Sequence, residues 1–465
     1  MEALLTSFIE RSDEELENIF RCFSDWEETA VSWRRLLHRH AQPGWLEFFA
    51  TGFIAEKLES WEIEISQGTK ILDAEGRLFV PPESVLDREY RRALSAGIDE
   101  RYLRPTRGGL TGVVGVLVGA QPGPHVAFRF DIDALEIQES KEMSNRANRE
   151  GYASIYPGYS HMCGHDAHIV TGLLLARYLS EHREAIRGRI SLIFQPNEEA
   201  LAGARAMIRR GVTDGVDYLI GGHVAANLWK VGQIGLNVKN ILAVVRSKVR
   251  MKGVPAHSTG RPDLGKNALL GACTAVTNLH AIARHGEGVG ILNVGKIEGG
   301  ISWNVIPDDV TFWLETRAET TEINNYMQRR AQEIIKGAAA MFDLSYTIEK
   351  VVESVSCKNS PELVAMGTEA ARLVPGIEEV VPEVSVNASE DFALLAEAVG
   401  KKGGKTLYAI HGTPVAGGQH SDSFDLDERV ILNAARFYAV LYDRLTASGA
   451  DNRYEGARSA RHWVR

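Results

Sequence analysis

Three short apolar runs in the first half of the chain each stop at a knot of acids, amides or an imidazole, and this repeated pattern limits the fold more than any other feature. His125 to Phe130 leads into Asp131 and Asp133, Arg189 to Phe194 leads into FQPNEEA (Phe194 to Ala200), and Tyr218 to Gly222 leads into His223. Together with Gly112 to Val118, these runs are short, rich in β-branched or aromatic residues and bounded by Gly or Pro, which predicts strands. Between them, Asp166 to Glu181 spaces Ile169, Gly172, Leu173, Ala176 and Leu179 as a helix would, and Ala200 to Arg210 is similar. Strand alternating with helix predicts an α/β layer with a mostly parallel sheet. Ligands of such sheets bind beyond the carboxyl ends of the strands, so the three knots are expected to meet at one place.

From about Asn240 the pattern changes. Val244 to Met251, Gly290 to Glu298 and Val310 to Arg317 read as strands, Lys266 to Arg284 and Glu322 to Met341 as helices, and Ser345 to Glu349 as a closing strand. This suits a compact α+β insert of about 110 residues. Pro361 to Leu373 and Ser389 to Val399 then read as helices, Thr406 to Ile410 as a strand and Asp427 to Leu445 as a last helix that rejoins the first domain. At 465 residues the chain is longer than one hydrophobic core usually supports. The expected division is therefore a main α/β domain from residues 1–240 and 353–465, with residues 241–352 inserted.

The densest chemistry lies in HMCGHDAH (His161 to His168), a thiol and three imidazoles ahead of a helix. Cys163 and His165 flank Gly164, so a tight loop can turn both side chains to one point, and such ligands suit Zn²⁺, Mn²⁺ or a related ion. An isolated Cys-x-His pair is equally well a buried thiol beside a core histidine. Asp166 can simply cap the helix. In FQPNEEA the adjacent Glu198 and Glu199 point different ways, so one can bind metal while the other faces substrate and takes a proton from an acidified water. Alone, the pair is more simply a solvated acidic turn. His223 in GGHV and His420 in GGQHSDSFD are further candidates, each by itself an ordinary satisfied histidine, and Asp133 can orient a ligand imidazole from behind. What favours a site is that each piece follows a predicted strand or a Gly-rich turn.

Composition narrows the partners. A net charge of -9 offers no footprint for nucleic acid, and the basic stretch Arg453 to Arg465 reads as a solvated tail. Met1 to Phe20 mixes acids with apolar residues at helical spacing, unlike a secretory signal. The longest apolar runs, such as Ile169 to Ala176, fall well short of the roughly 20 residues that span a bilayer. Four cysteines are too few for a disulfide framework. These features predict a cytoplasmic protein with neither a membrane nor a nucleic-acid partner.

Read together, HRHAQPGWLEF (His38 to Phe48), FRFDIDALEI, HMCGHDAH, FQPNEEA, GGHV, GVPAHS (Gly253 to Ser258), NVIPDDV (Asn304 to Val310), ASEDFA (Ala388 to Ala393) and QHSDSFD stand in the order found in the M20 metallopeptidases. The chain resembles their amidohydrolase branch of aminoacylases and auxin-conjugate hydrolases. Within it, GWLEF, the long segment Thr69 to Thr111 and LAGARAMIRRGV before VDYLIGGHV resemble the group of p-aminobenzoyl-glutamate hydrolase A subunits. The resemblance implies a zinc-peptidase-like catalytic domain and a lid domain that makes homodimers, with a sister subunit possible. It implies two divalent ions per subunit, Zn or Mn, on Cys163, His165, Glu199, His223 and His420, with Glu198 as general base. It also implies that His257 reaches a partner's site and that Asn304 and Arg317 contact substrate. Asn197 departs from the family, where Ala is usual. The implied activity is cleavage of an N-acyl amino acid such as p-aminobenzoyl-glutamate. The alternatives are an aminoacylase, an auxin-conjugate hydrolase or a non-catalytic partner subunit.

Overall fold

The computed structural model describes residues 13–448, so the basic stretch Arg453 to Arg465 and the first twelve residues lie outside the described residues. The described chain forms two compact units. The larger comprises residues up to Lys239, Lys358–Val386 and the segment from Leu394, and the smaller comprises Asn240–Cys357 and Asn387–Ala393.

The larger unit is built on an eight-stranded sheet. Its spatial order is Glu64–Ser66, Val113–Val118, Arg187–Gln195, Gln121–Asp131, Tyr218–Val224, Lys405–His411, Gln233–Gly235 and Glu379–Val381. The centre is parallel, from Arg187–Gln195 through Gln121–Asp131 and Tyr218–Val224 to Lys405–His411. The expected mostly parallel central sheet is present, and antiparallel pairs are confined to its flanks. Val113–Val118 runs antiparallel to both its neighbours, and Gln233–Gly235 runs antiparallel to Lys405–His411.

Helix His165–Glu181 is apolar on nearly every side, and Ile169, Val170, Leu173, Leu174 and Leu175 are all fully buried. A helix apolar all round must be covered all round. Helix Arg429–Ser448 and helix Glu27–Arg39 join it in one core with Phe128, Phe130 and Phe194 of the sheet. The predicted helix Ala200 to Arg210 is shorter, Gly203–Ile208. Residues ahead of it form a tight turn in which Asn197 and Leu201 adopt positive φ, so the chain enters the helix late.

The smaller unit is a four-stranded antiparallel sheet in the order Ser345–Ser354, Ala243–Lys252, Asp309–Ala318, Gly290–Gly299. Asp309–Ala318 buries Val310, Phe312, Leu314, Thr316 and Ala318 on one face and leaves the alternate residues half-buried. That period of two is the mark of a sheet covered on one side. Helices Ala268–Leu279 and Thr321–Met341 cover it, packing Ala272, Ala275, Ala331 and Ile335 against Val249, Met251 and Phe312. Each starts on a side-chain cap, Asn267 accepting from Leu270 N–H and Thr320 from Ile323 N–H. Among the described residues, no helix is long and apolar enough to cross a membrane.

Candidate metal centre

The carboxyl ends of the parallel strands carry the predicted knots into one buried cluster of the larger unit. Cys163 and His165 arrive from the turn before helix His165–Glu181. That turn depends on Gly164, whose φ is 91° and where a Cβ would lie 2.6 Å from Val224 Cγ2. No side chain fits there, and the left-handed backbone favours glycine. The result aims Cys163 at strand Tyr218–Val224, with Sγ 3.4 Å from His223 Nε2.

Two of the histidines are fixed in the same way. His165 donates from Nδ1 to the Asp133 carbonyl at 2.8 Å, and His223 donates from Nδ1 to the Val224 carbonyl at 2.7 Å. Each Nδ1 proton is thereby committed to a backbone oxygen, and each Nε2 lone pair faces the cluster, as in imidazoles that bind metal. His420 is held by its backbone, whose N–H donates to Met162 O at 2.8 Å, and it sits at φ 62°, in the left-handed region that non-glycine residues adopt uncommonly. Its Nε2 lies 3.4 Å from Glu199 Oε1, and that same oxygen lies 3.8 Å from His165 Nε2.

Donor atoms of Cys163, His165 and His223 lie within 4.8 Å of one another, as do those of Cys163, Glu199 and His420 and those of His165, Glu198 and Glu199. Among the described residues, His165 Nε2 and Glu199 Oε1 are buried with no hydrogen-bond partner, a costly arrangement that a cation would relieve. Thiolate, imidazole and carboxylate in this number suit a borderline divalent ion, so the residues fit the metal site expected of them.

The titration of these groups follows their surroundings. Burial pushes His223 down to about 3, reinforced by His168. The neighbouring Cys163 thiol and Glu199 carboxylate lift His420 to about 10. Burial raises Cys163, and Glu199 adds to the rise. Glu199 is itself buried, which alone would raise it, but His420 and His165 hold it below the ordinary carboxylate range.

Glu198 is buried beside Glu199 in a turn whose two flanking amides are both held. Asn197 N–H donates to Glu47 Oε1 at 2.8 Å and Glu199 N–H to Asp133 Oδ2 at 3.1 Å. Asn197 sits at φ 52°, where asparagine is tolerated better than most residues.

Three features escape the sequence reading. His168 closes a bracket, donating from Nδ1 to Asp131 while its Nε2 accepts from Val224 N–H at 3.0 Å. Asp166 does more than cap a helix. Its carboxylate is fully buried and meets Arg34 Nε at 2.9 Å and His38 Nδ1 at 2.8 Å. Glu47, in the GWLEF motif, is a third buried carboxylate. The signal for all three was their place inside a motif, but only tertiary contacts reveal their partners.

His257, Asn304 and Arg317 belong to the smaller unit. His257 is exposed and accepts at Nδ1 from Gly260 N–H at 3.1 Å, while Ser258 N–H donates to Asn304 O at 3.0 Å. Arg317 forks onto Glu315, with Nε 2.7 Å from Oε1, and Arg246 Nε takes the other oxygen at 2.7 Å.

Residues 127–444 match the model of peptidase family M20/M25/M40. The chain is 39% identical over 411 residues to an indole-3-acetyl-aspartic acid hydrolase of Enterobacter agglomerans, covering 88% of this chain and 94% of that one. It is 36% identical over 408 residues to the A subunit of p-aminobenzoyl-glutamate hydrolase from Escherichia coli (strain K12), covering 88% and 93%. Among solved structures it is similar to an aminobenzoyl-glutamate utilization protein from Klebsiella pneumoniae, with a TM-score of 0.74, 33% identity and coverage of 90% and 96%. It is also similar to a dinuclear metal binding peptidase of the M20 family from Bacillus subtilis, with a TM-score of 0.68, 25% identity and coverage of 90% and 98%.

Proposed function

The chain belongs to peptidase family M20/M25/M40 and is an amidohydrolase, and from that footing we propose that it cleaves the amide of an aromatic acyl group joined to an acidic amino acid. The observation that carries this reading is the convergence of Cys163, His165, Glu199, His223 and His420 beside buried Glu198. The two relatives support the substrate class. Indole-3-acetyl and p-aminobenzoyl are both aromatic acyl groups, and aspartate and glutamate are both acidic.

Cys163, His165, Glu199, His223 and His420 would hold two divalent ions, Zn or Mn, with Cys163 common to two of the donor groups. When bound, such ions would lower the pKa of the attacking water and stabilise negative charge on the amide oxygen. Glu198 takes the water's proton as the carbonyl carbon is attacked and delivers it to the leaving amine nitrogen. In the smaller unit, Arg317 pairs with the substrate's free carboxylate, Asn304 adds a neutral donor, and His257 serves a second copy's site in a homodimer. The Escherichia coli relative is named as one subunit of its enzyme, which supports a sister chain as a further partner. The four cysteines are free thiols in the structure, which supports a cytoplasmic setting.

The test is a panel on the full chain loaded with Zn²⁺ or Mn²⁺, varying the acyl group (p-aminobenzoyl, indole-3-acetyl, acetyl) and the amino acid (Glu, Asp, Ala) independently. The expected result is highest kcat/KM for aromatic acyl groups on Glu or Asp. Hydrolysis of no N-acyl amino acid with either metal would overturn the proposal. Equal rates on acetyl-alanine would overturn the substrate class alone.

A further inference from the structure

Glu47 is a buried carboxylate that the reaction above does not use. It is fully buried, and its two oxygens are divided between two donors, Asn197 N–H at 2.8 Å on Oε1 and Thr111 Oγ1 at 2.6 Å on Oε2. Asn197 immediately precedes Glu198. The Asn197 carbonyl accepts from Ala202 N–H at 3.2 Å and Gly203 N–H at 3.0 Å, so this residue's backbone is gripped on both sides. Gly44 closes against the same residue, since a Cβ there would stand 2.0 Å from Asn197 Oδ1.

Thr111 ends the long segment that begins at Thr69, and that segment is seated on the same motif. Trp45 Nε1 donates to Leu78 O at 2.7 Å, while Arg77 donates to the carbonyls of Gly108 at 2.8 Å and Gly109 at 2.7 Å. A carboxylate placed here is costly, because burial, with Asp133 repelling it, pushes Glu47 up to about 8. An apolar side chain would avoid that cost but would leave the Asn197 amide without an acceptor. What the carboxylate offers is direction, because it fixes one rotation of the turn from which Glu198 projects.

We propose that Glu47, oriented by Thr111, is a positioning residue that sets the backbone of the turn carrying Glu198. The proposal rests on Glu198 being the general base. Thr111 thereby ties the Thr69 to Thr111 segment to the chemistry without either residue touching substrate. A misplacement of about 1 Å from a distant change can cost roughly 10²-fold in rate, so the effect should fall on kcat.

The experiment compares Glu47→Ala, Glu47→Gln and Thr111→Val in the metal-loaded full chain, with kcat, KM and bound metal measured for each. Glu47→Ala should lower kcat about 10- to 100-fold, with KM and metal content within about twofold of the parent. Glu47→Gln keeps an oxygen for Asn197 N–H and an amide toward Thr111, and should recover kcat to within about threefold. Thr111→Val should lower kcat in the same sense by about threefold or more. Loss of metal in parallel with kcat, or a Gln variant as slow as the Ala variant, would overturn the proposal. If Glu47→Ala is insoluble, Thr111→Val decides, and parental kcat in that variant would overturn it. A parent chain inactive on every amide would instead sink the amidohydrolase reading.

Discussion

His168 and Asp131 form a buried pair that reaches the candidate metal cluster through the backbone. Asp131 accepts from His168 Nδ1 and from Arg129 Nη1, and His168 Nε2 in turn accepts the N–H of Val224, the residue after His223. The imidazole thus pins the end of strand Tyr218–Val224 and with it the side chain proposed as a ligand. Replacing His168 with Ala should release that end and weaken metal binding by roughly 10- to 100-fold, the usual scale for groups that orient ligands. Competition with a chelator measures it, and unchanged affinity would refute the bracket.

Cys163 should be the cysteine whose reactivity reports the metal, because a coordinated thiolate is blocked from alkylation. Metal-free protein should alkylate there faster than metal-loaded protein, read by mass spectrometry of the Cys163 peptide. Cys273 is exposed and should react equally in both forms, which provides an internal control. Equal rates at Cys163 would count against ligation.

Glu198→Gln removes the proposed base while keeping the shape of the side chain. kcat should fall by at least about 10²-fold, the lower range for a general base, while metal content stays near that of the parent. Near-parental turnover would reassign the base.

How much was legible in the sequence follows from which interactions are local. Strands such as Arg187–Gln195 and helix Pro361–Leu373 matched their predicted spans closely, because their periods and bounding residues are written in consecutive positions. The antiparallel flanks were not legible, since strand direction depends on which neighbour a strand finds. Cys163 and His165 could be read from their spacing around Gly164. His223 and His420 stood out mainly because the resemblance gave them meaning. Glu47, Asp131 and Asp166 looked like ordinary acids, since burial and partners as far away as Asn197, His168 and Arg34 decide what they do.

Acid should destabilise the fold in a defined window. Burial pushes His411 down to about 3 and His125 to about 4, from an ordinary value of 6.5. The unfolded chain therefore binds these protons first. Stability present above about pH 6.5 is lost as pH falls toward 4, by at most about 1.4 kcal/mol per pH unit for each such group. His125 packs against Ser191 Oγ at 2.8 Å and Gly215 O at 3.1 Å, and none of these belongs to the metal cluster. Melting temperatures of the parent and of His125→Asn from pH 8 to 5 should show a shallower acid slope in the variant. Identical slopes would mean His125 does not titrate differently on folding.

The substrate's carboxylate needs a positive partner, and Arg317 is the residue proposed to supply it. Arg317 is placed by strand Asp309–Ala318, two residues from Glu315, so both side chains leave the same face and the guanidinium forks onto the acid. Arg246 from the neighbouring strand meets the same acid. Two arginines share one carboxylate, which leaves the trio with a net positive charge and Arg317 preoriented as a planar fork. Converting Arg317 to Ala should therefore raise KM by about 10-fold or more, on the scale of a lost charge-assisted hydrogen bond, with little change in kcat. It should also flatten the preference for free carboxylate over carboxamide substrates. Glu315→Gln should act the opposite way on KM for acidic substrates, because it removes the competing anion while keeping the side chain's size. A fall in kcat at constant KM in Arg317→Ala would assign the residue to the reacting centre instead. Unchanged KM and unchanged carboxylate preference would show that the substrate's acid is held elsewhere.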